Sequence, residues 1–170
     1  MSRAFVKEAD GEAVGDDAPE LPISPFPNRV TPRGLALLRA ELERLTDRRR
    51  TLLSTNDPVA RRPELFSLDR QIRYVTKRIE SAIVQAPRDR ARDRVGFGAT
   101  IAVLDEDGSA SRFTIVGEDE ADPREGRISW ISPLATALSG SAVGDEVRWR
   151  RPKGDTVLEV VGIDYDDDGA

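Results

Sequence analysis

The sequence contains no cysteine and no histidine among its 170 residues. The first absence excludes disulfides and thiolate chemistry. The second removes the commonest metal ligand and the usual general base near neutral pH. Any catalysis would therefore fall to carboxylates, lysine, tyrosine or serine. Apolar runs of membrane-spanning length are also missing, and the first residues lack the apolar stretch of a secretory signal. A cytoplasmic protein with no membrane contact is expected.

What is present is charge. Hydrophobic residues make up 38% and charged residues 34%, with a net charge of −5. Residues 1–30 carry three basic and six acidic side chains, residues 31–94 sixteen and nine, and residues 95–170 seven and sixteen. The three segments thus carry −3, +7 and −9. A basic middle on an acidic body is a strong dipole, able to orient the molecule on a partner that presents both signs.

The basic segment has helical periodicity. Leu35, Leu38, Leu42, Leu45 and Leu52 recur at spacings of 3, 4, 3 and 7, and Leu65, Leu68, Ile72, Val75, Ile79 and Ala82 at 3, 4, 3, 4 and 3. This is the seam of a coiled coil. Two such legs joined by a short break predict an antiparallel helical hairpin over 31–87, each leg roughly 35 Å long at 1.5 Å per residue. Thr31-Pro32 opens the first leg with a cap and a proline tolerated at the first helical position. Gly34 is a mild flaw one turn in. Thr55-Asn56-Asp57-Pro58 breaks the leg, and Pro63 disfavours helix at Arg62, which places the tip at 55–63.

On either side the composition changes. Residues 1–30, rich in glycine, proline and acids, read as an extended arm with a small apolar patch at Phe5 and Val6. Residues 88–94 read as a charged linker. From Val95 the period becomes two, with strands expected at 97–104, 112–116, 127–131, 146–150 and 157–163 and a short helix at 134–138 capped by Ser132. Residues 166–170 form an acidic tail. The fold class is α+β: a helical hairpin followed by an antiparallel-sheet body over 95–165 with one short helix.

Several blocks in this order resemble the bacterial GreA/GreB transcription-elongation-factor family. They are Val30-Thr31-Pro32-Arg33-Gly34 with Leu38-Arg39-Ala40-Glu41-Leu42; Asp69-Arg70-Gln71-Ile72-Arg73-Tyr74-Val75-Thr76-Lys77; Phe97-Gly98-Ala99-Thr100; Ile115-Val116-Gly117-Glu118-Asp119-Glu120-Ala121-Asp122; Ile131-Ser132-Pro133-Leu134-Ala135-Thr136-Ala137-Leu138; and Val143-Gly144-Asp145. The resemblance implies an FKBP-like body that docks at the mouth of the RNA polymerase secondary channel and a finger that enters it. It points to Glu118, Asp119, Glu120, Asp122, Ser132 and Pro133 as the docking surface. A monomer without cofactor, touching RNA or DNA only inside the polymerase complex, is implied.

The tip departs from the family, whose active members present an Asp and, three residues later, a Glu that help hold a second Mg²⁺ for transcript cleavage. Ungapped counting puts Thr51 and Ser54 at those positions. A deletion of about one seven-residue heptad per leg is the other reading, leaving the tip roughly 10 Å short. Both remove the metal pair. The finger then belongs to a regulator that binds polymerase without stimulating cleavage and is not itself an enzyme. The alternative is a substitute pair, Asp57 and Glu64, although Asp57 also suits a turn and Glu64 a first helical turn. Arg48, Arg49, Arg50, Arg61 and Arg62 crowd the same end, either to meet phosphates or acidic channel walls or as a solvated basic surface. Direct binding to bare nucleic acid is a further alternative that the acidic body disfavours. A prolyl isomerase, which would need an aromatic-lined pocket from Phe97, Phe113, Trp130, Trp149 and Tyr165, is a distant one.

Overall fold

The computed structural model describes residues 19–54, 58–86 and 93–165. Strand β1 (Arg29–Val30) leads into helix α1 (Pro32–Leu53), and α2 (Pro58–Glu80) returns to β2 (Ile83–Val84). The body follows as β3 (Thr100–Asp105), β4 (Ala110–Val116), β5 (Arg127–Ser129), α3 (Pro133–Leu138), β6 (Glu146–Trp149) and β7 (Thr156–Asp164). Single 3₁₀ turns at Glu118–Glu120 and Pro123–Glu125 lie between β4 and β5.

The two helices form the expected hairpin. Leu38 and Leu45 of α1 are buried against Leu68 and Val75 of α2, and Val30 closes the cluster at the base. The helices span about 33 and 35 Å from their 22 and 23 residues. The Thr31 hydroxyl caps α1 by accepting from the Gly34 amide at 2.8 Å.

Two expectations are corrected here. The second helix begins at Pro58, not near Pro63, and Pro63 lies inside it. The missing amide of Pro63 removes one rung of the ladder, but the helix beyond it is held by Leu68 and Val75 in the seam. Asp57 and the rest of the break, 55–57, lie outside the described residues. The second helix also stops at Glu80 rather than near Gln85. Ile83–Val84 instead pairs in parallel with Arg29–Val30, residues that composition assigns to the arm. Asn28 enforces this ending. Its side-chain amide donates to the Arg78 carbonyl at 2.6 Å, and its carbonyl accepts from the Ile83 amide at 2.8 Å.

The body sheet has the order β5-β4-β3-β7-β6. Three pairings are antiparallel, while β4 and β5 run parallel, in register Thr114 with Arg127 to Val116 with Ser129. The two 3₁₀ turns cause this. They carry the chain back only as far as Thr114, in the last half of β4, in place of a tight hairpin. Ile101, Val103 and Val160 are fully buried at the sheet centre, and α3 covers one face with Leu134, Ala135 and Leu138. Tyr165 closes the core, its hydroxyl donating to the Arg94 carbonyl at 2.7 Å.

Candidate functional site

Three regions carry the residues singled out from the sequence: the joint between hairpin and body, a second surface of the body, and the tip. At the joint the turn Glu118–Glu120 inserts between the start of α1 and the end of α2. Glu120 is 6% exposed, and its carboxylate accepts from the Thr31 hydroxyl and lies 3.5 Å from Arg33. It thus sits at the positive end of α1, where backbone amides are unpaired. Gly34 is what admits it: a Cβ there would lie 2.7 Å from the Glu120 Oε2 atom.

Arg78, in the last turn of α2, is the counterpart. It is 1% exposed and donates through Nε to the Asp119 Oδ2 atom at 2.7 Å, with Glu118 at 3.6 Å. Tyr74, one turn earlier, donates to the other Asp119 oxygen at 3.0 Å. The Asp119 side chain is only 18% exposed, although its backbone lies at the surface. A cation at a helix C-terminus and a carboxylate at a helix N-terminus each complement the local dipole, so one acidic turn clamps both legs.

Three of the acids expected to grip a partner therefore face the protein's own hairpin. Sequence alone gives no sign that Arg78 is buried against them. The available hint was Gly34, a poor helix former inside a strong helix.

The remaining docking candidates fall on another surface. Asp122 caps the second 3₁₀ turn by accepting from the Arg124 amide at 3.1 Å and lies 3.6 Å from Arg127. Ser132 caps α3 by accepting from the Ala135 amide at 3.2 Å, and Pro133 is the first residue of that helix. Ser132 and Pro133 line a groove of about 460 Å³ with Phe113, Ile128, Leu134 and Trp149. Phe113 and Trp149 meet edge to face at 6.4 Å, and the Arg151 guanidinium stacks 5.0 Å over Trp149. Phe97 and Tyr165 are core residues, and Trp130 packs against Phe26. The five aromatics thus do not converge on one pocket.

At the tip, Glu64 accepts from Arg48 Nε and Nη2 at 2.9 and 2.7 Å across the two helices. Arg49 pairs with Asp69 and Arg50 with Asp47, each at 2.6 Å. Arg61 donates to the Leu53 carbonyl at 2.8 Å, and Arg62 is exposed. Much of the arginine charge is thus matched within the hairpin. A hard cation needs several oxygen ligands. Glu64, one of the two acids proposed for that role, is held by an arginine; the other, Asp57, lies outside the described residues.

Tyr74 gives a direct probe of the joint. Burial, then the Asp119 carboxylate, push its hydroxyl above the ordinary value of 10.0. The neutral hydroxyl donates, so its contribution is intact below that value and is lost as pH rises through the folded-state value. Absorbance titration of the phenolate is expected to show a tyrosine ionising above pH 10.0 that Tyr74→Phe removes.

A helical hairpin clamped onto a small α+β body is the architecture in hand. The family model described as "Transcription elongation factor, GreA/GreB, C-term" matches residues 90–165. Transcription elongation factor GreB of Neisseria meningitidis serogroup B is 36% identical over 153 residues, 81% of this chain and 94% of that protein. GreB of Pseudomonas aeruginosa is 39% identical over 150 residues, 80% and 89% respectively. The crystal structure of GreA factor homolog 1 (Gfh1) of Thermus thermophilus aligns at 23% identity with a TM-score of 0.40, covering 82% of this chain and 99% of that one. The chain belongs to the GreA/GreB family of transcription elongation factors.

Proposed function

We propose that this protein is a cytoplasmic regulator that binds RNA polymerase, places its hairpin in the secondary channel and modulates elongation without stimulating transcript cleavage. The observation that carries the second half is the Arg48–Glu64 pair. The carboxylate nearest the tip among the described residues is held by a guanidinium at 2.7 Å. Family membership and the retained body support the first half. The groove beside Ser132 and Pro133 is the docking surface in this proposal: it is apolar, has two aromatic walls and lies away from the hairpin joint. Glu118, Asp119 and Glu120 act indirectly, by fixing the angle at which the finger leaves the body.

Two measurements test the halves separately. Added in excess to a backtracked elongation complex, the protein is expected to give no shortened RNA above the polymerase's own rate. Cleavage above that rate would overturn the cleavage half. For binding, Pro133→Asp puts a charge on the groove rim at a helix start that tolerates an acid. It is expected to weaken polymerase binding about tenfold or more while leaving the denaturation curve in place. Equal binding by both proteins would remove the groove from the interface.

A further inference from the structure

The basic residues of the body are unevenly placed. Residues 95–170 carry seven, and four of them, Arg148, Arg150, Arg151 and Lys153, fall between 148 and 153. This run closes β6 and supplies Arg150 and Arg151, the only charged side chains among the described residues that line the groove beside Pro133. Both are exposed, and neither makes an ion pair among the described residues. Arg151 is nonetheless held in place. Its guanidinium stacks 5.0 Å over Trp149, and its Nε atom donates to the Gly154 carbonyl at 3.3 Å. The acids beside Pro123, Asp122 and Glu125, are paired instead with Arg127.

The rest of the groove is largely apolar. Three of its lining residues, Pro123, Pro133 and Pro152, are prolines and offer no amide hydrogen. The Ser132 hydroxyl already accepts from the Ala135 amide, which leaves its proton free to donate. The side-chain polar groups are thus donors, and they call for a ligand that brings acceptors. An apolar group suits the interior and anionic oxygen suits the rim. Nucleic acid meets this demand poorly. Bases bind by stacking on open ring faces, but Arg151 covers one face of Trp149, and Phe113 is engaged edge to face with the same ring. The −9 carried by residues 95–170 also repels a polyanion. A protein segment with a few carboxylates brings its charge to one point only.

We infer that the groove takes a segment of RNA polymerase in which an apolar side chain is flanked by aspartate or glutamate. The apolar group enters between Phe113 and Trp149, and the carboxylates meet Arg150 and Arg151. This rests on the docking role proposed above and adds the chemistry of the partner. A guanidinium presents a planar fork that fits a carboxylate, and the stack on Trp149 sets the orientation of one such fork in advance. The body then docks through a local basic rim, against the sign of its own net charge. Acid on the partner selects this groove over the rest of the surface.

The test compares full-chain variants for binding to RNA polymerase. Arg150→Glu/Arg151→Glu is expected to weaken binding about tenfold or more, and less so at high salt, with the denaturation curve in place. Arg150→Lys/Arg151→Lys keeps the charge and is expected to lose at most about threefold. Arg112→Glu, exposed on β4 and opposite Phe113 in the pleat, is expected to change binding by less than about twofold. If Pro133→Asp weakens binding and the double reversal does not, the groove docks but its partner is not acidic, and the inference falls alone. If neither weakens it, the docking role falls as well. A loss that high salt leaves unchanged, or one that Arg112→Glu equals, overturns the inference too. So does binding of a single-stranded RNA oligonucleotide that the double reversal abolishes, since the face would then belong to nucleic acid.

Discussion

Replacing Glu118 by glutamine and Asp119 by asparagine together is expected to cost about 3–5 kcal/mol of stability, because it strips a buried guanidinium of its counter-charges. Arg78 is 1% exposed and sits where hairpin and body meet. Water cannot replace the carboxylates there without opening the joint. Removing the cation instead is expected to cost less. In Arg78→Met the carboxylates, about one-fifth exposed, regain water, while the methionine fills the space of the aliphatic stem. Combining Arg78→Met with both carboxylate changes is expected to recover much of the loss. Urea denaturation of the four proteins measures this, and equal midpoints for the carboxylate double variant and the parent would sink it.

The second large effect concerns two glycines that are required for space. The φ of Gly117 is −66°, open to any residue, but a Cβ there would lie 2.5 Å from the Arg29 carbonyl oxygen. The obstacle is backbone in a paired strand, so Gly117→Ala must push β1 off its partner. A loss of about 1–3 kcal/mol is expected, as for other overpacked sites. Gly34→Ala inverts a familiar sign. In an exposed helix the change gains about 1 kcal/mol; here the new methyl meets the Glu120 carboxylate at 2.7 Å, and a net loss is expected. Shortening the acid with Glu120→Asp in the Gly34→Ala background is expected to restore part of it. Stabilisation by Gly34→Ala alone would show that Glu120 does not hold the position described.

These residues also mark where sequence stops being informative. The leucine and isoleucine spacing gave away the hairpin because a seam repeats, and the body strands were visible because their period of two changes abruptly at Val95. The Pro63 signal misled because it is local, whereas burial of Leu68 and Val75 is not. The acids Glu118 to Glu120 look like a solvated loop in one dimension. Only the fold brings Arg78 and Thr31, forty or more residues earlier, against them. The docking candidates accordingly divide, with Ser132 and Pro133 on an open groove, Asp122 capping a 3₁₀ turn and Glu118 to Glu120 inside the joint. The tip arginines looked unbalanced in a charge count. Pairing Arg48 with Glu64 and Arg49 with Asp69 across the two legs, and Arg50 with Asp47 within the first, matches three of the five, each exposed pair contributing at most about 1 kcal/mol.

The parallel pair that joins Arg29–Val30 to Ile83–Val84 has a consequence for how such a molecule varies. The chain departs and returns through adjacent strands, so the whole hairpin is an excursion with both ends pinned at one place. The contacts that orient it, Thr31 and Gly34 with Glu120 and Arg78 with Asp119, lie within the turns of helix next to that clamp. Removing or adding a matched heptad in each leg would change the reach by about 10 Å and leave grip and angle untouched. The finger is a ruler whose length can be reset without recalibrating its handle.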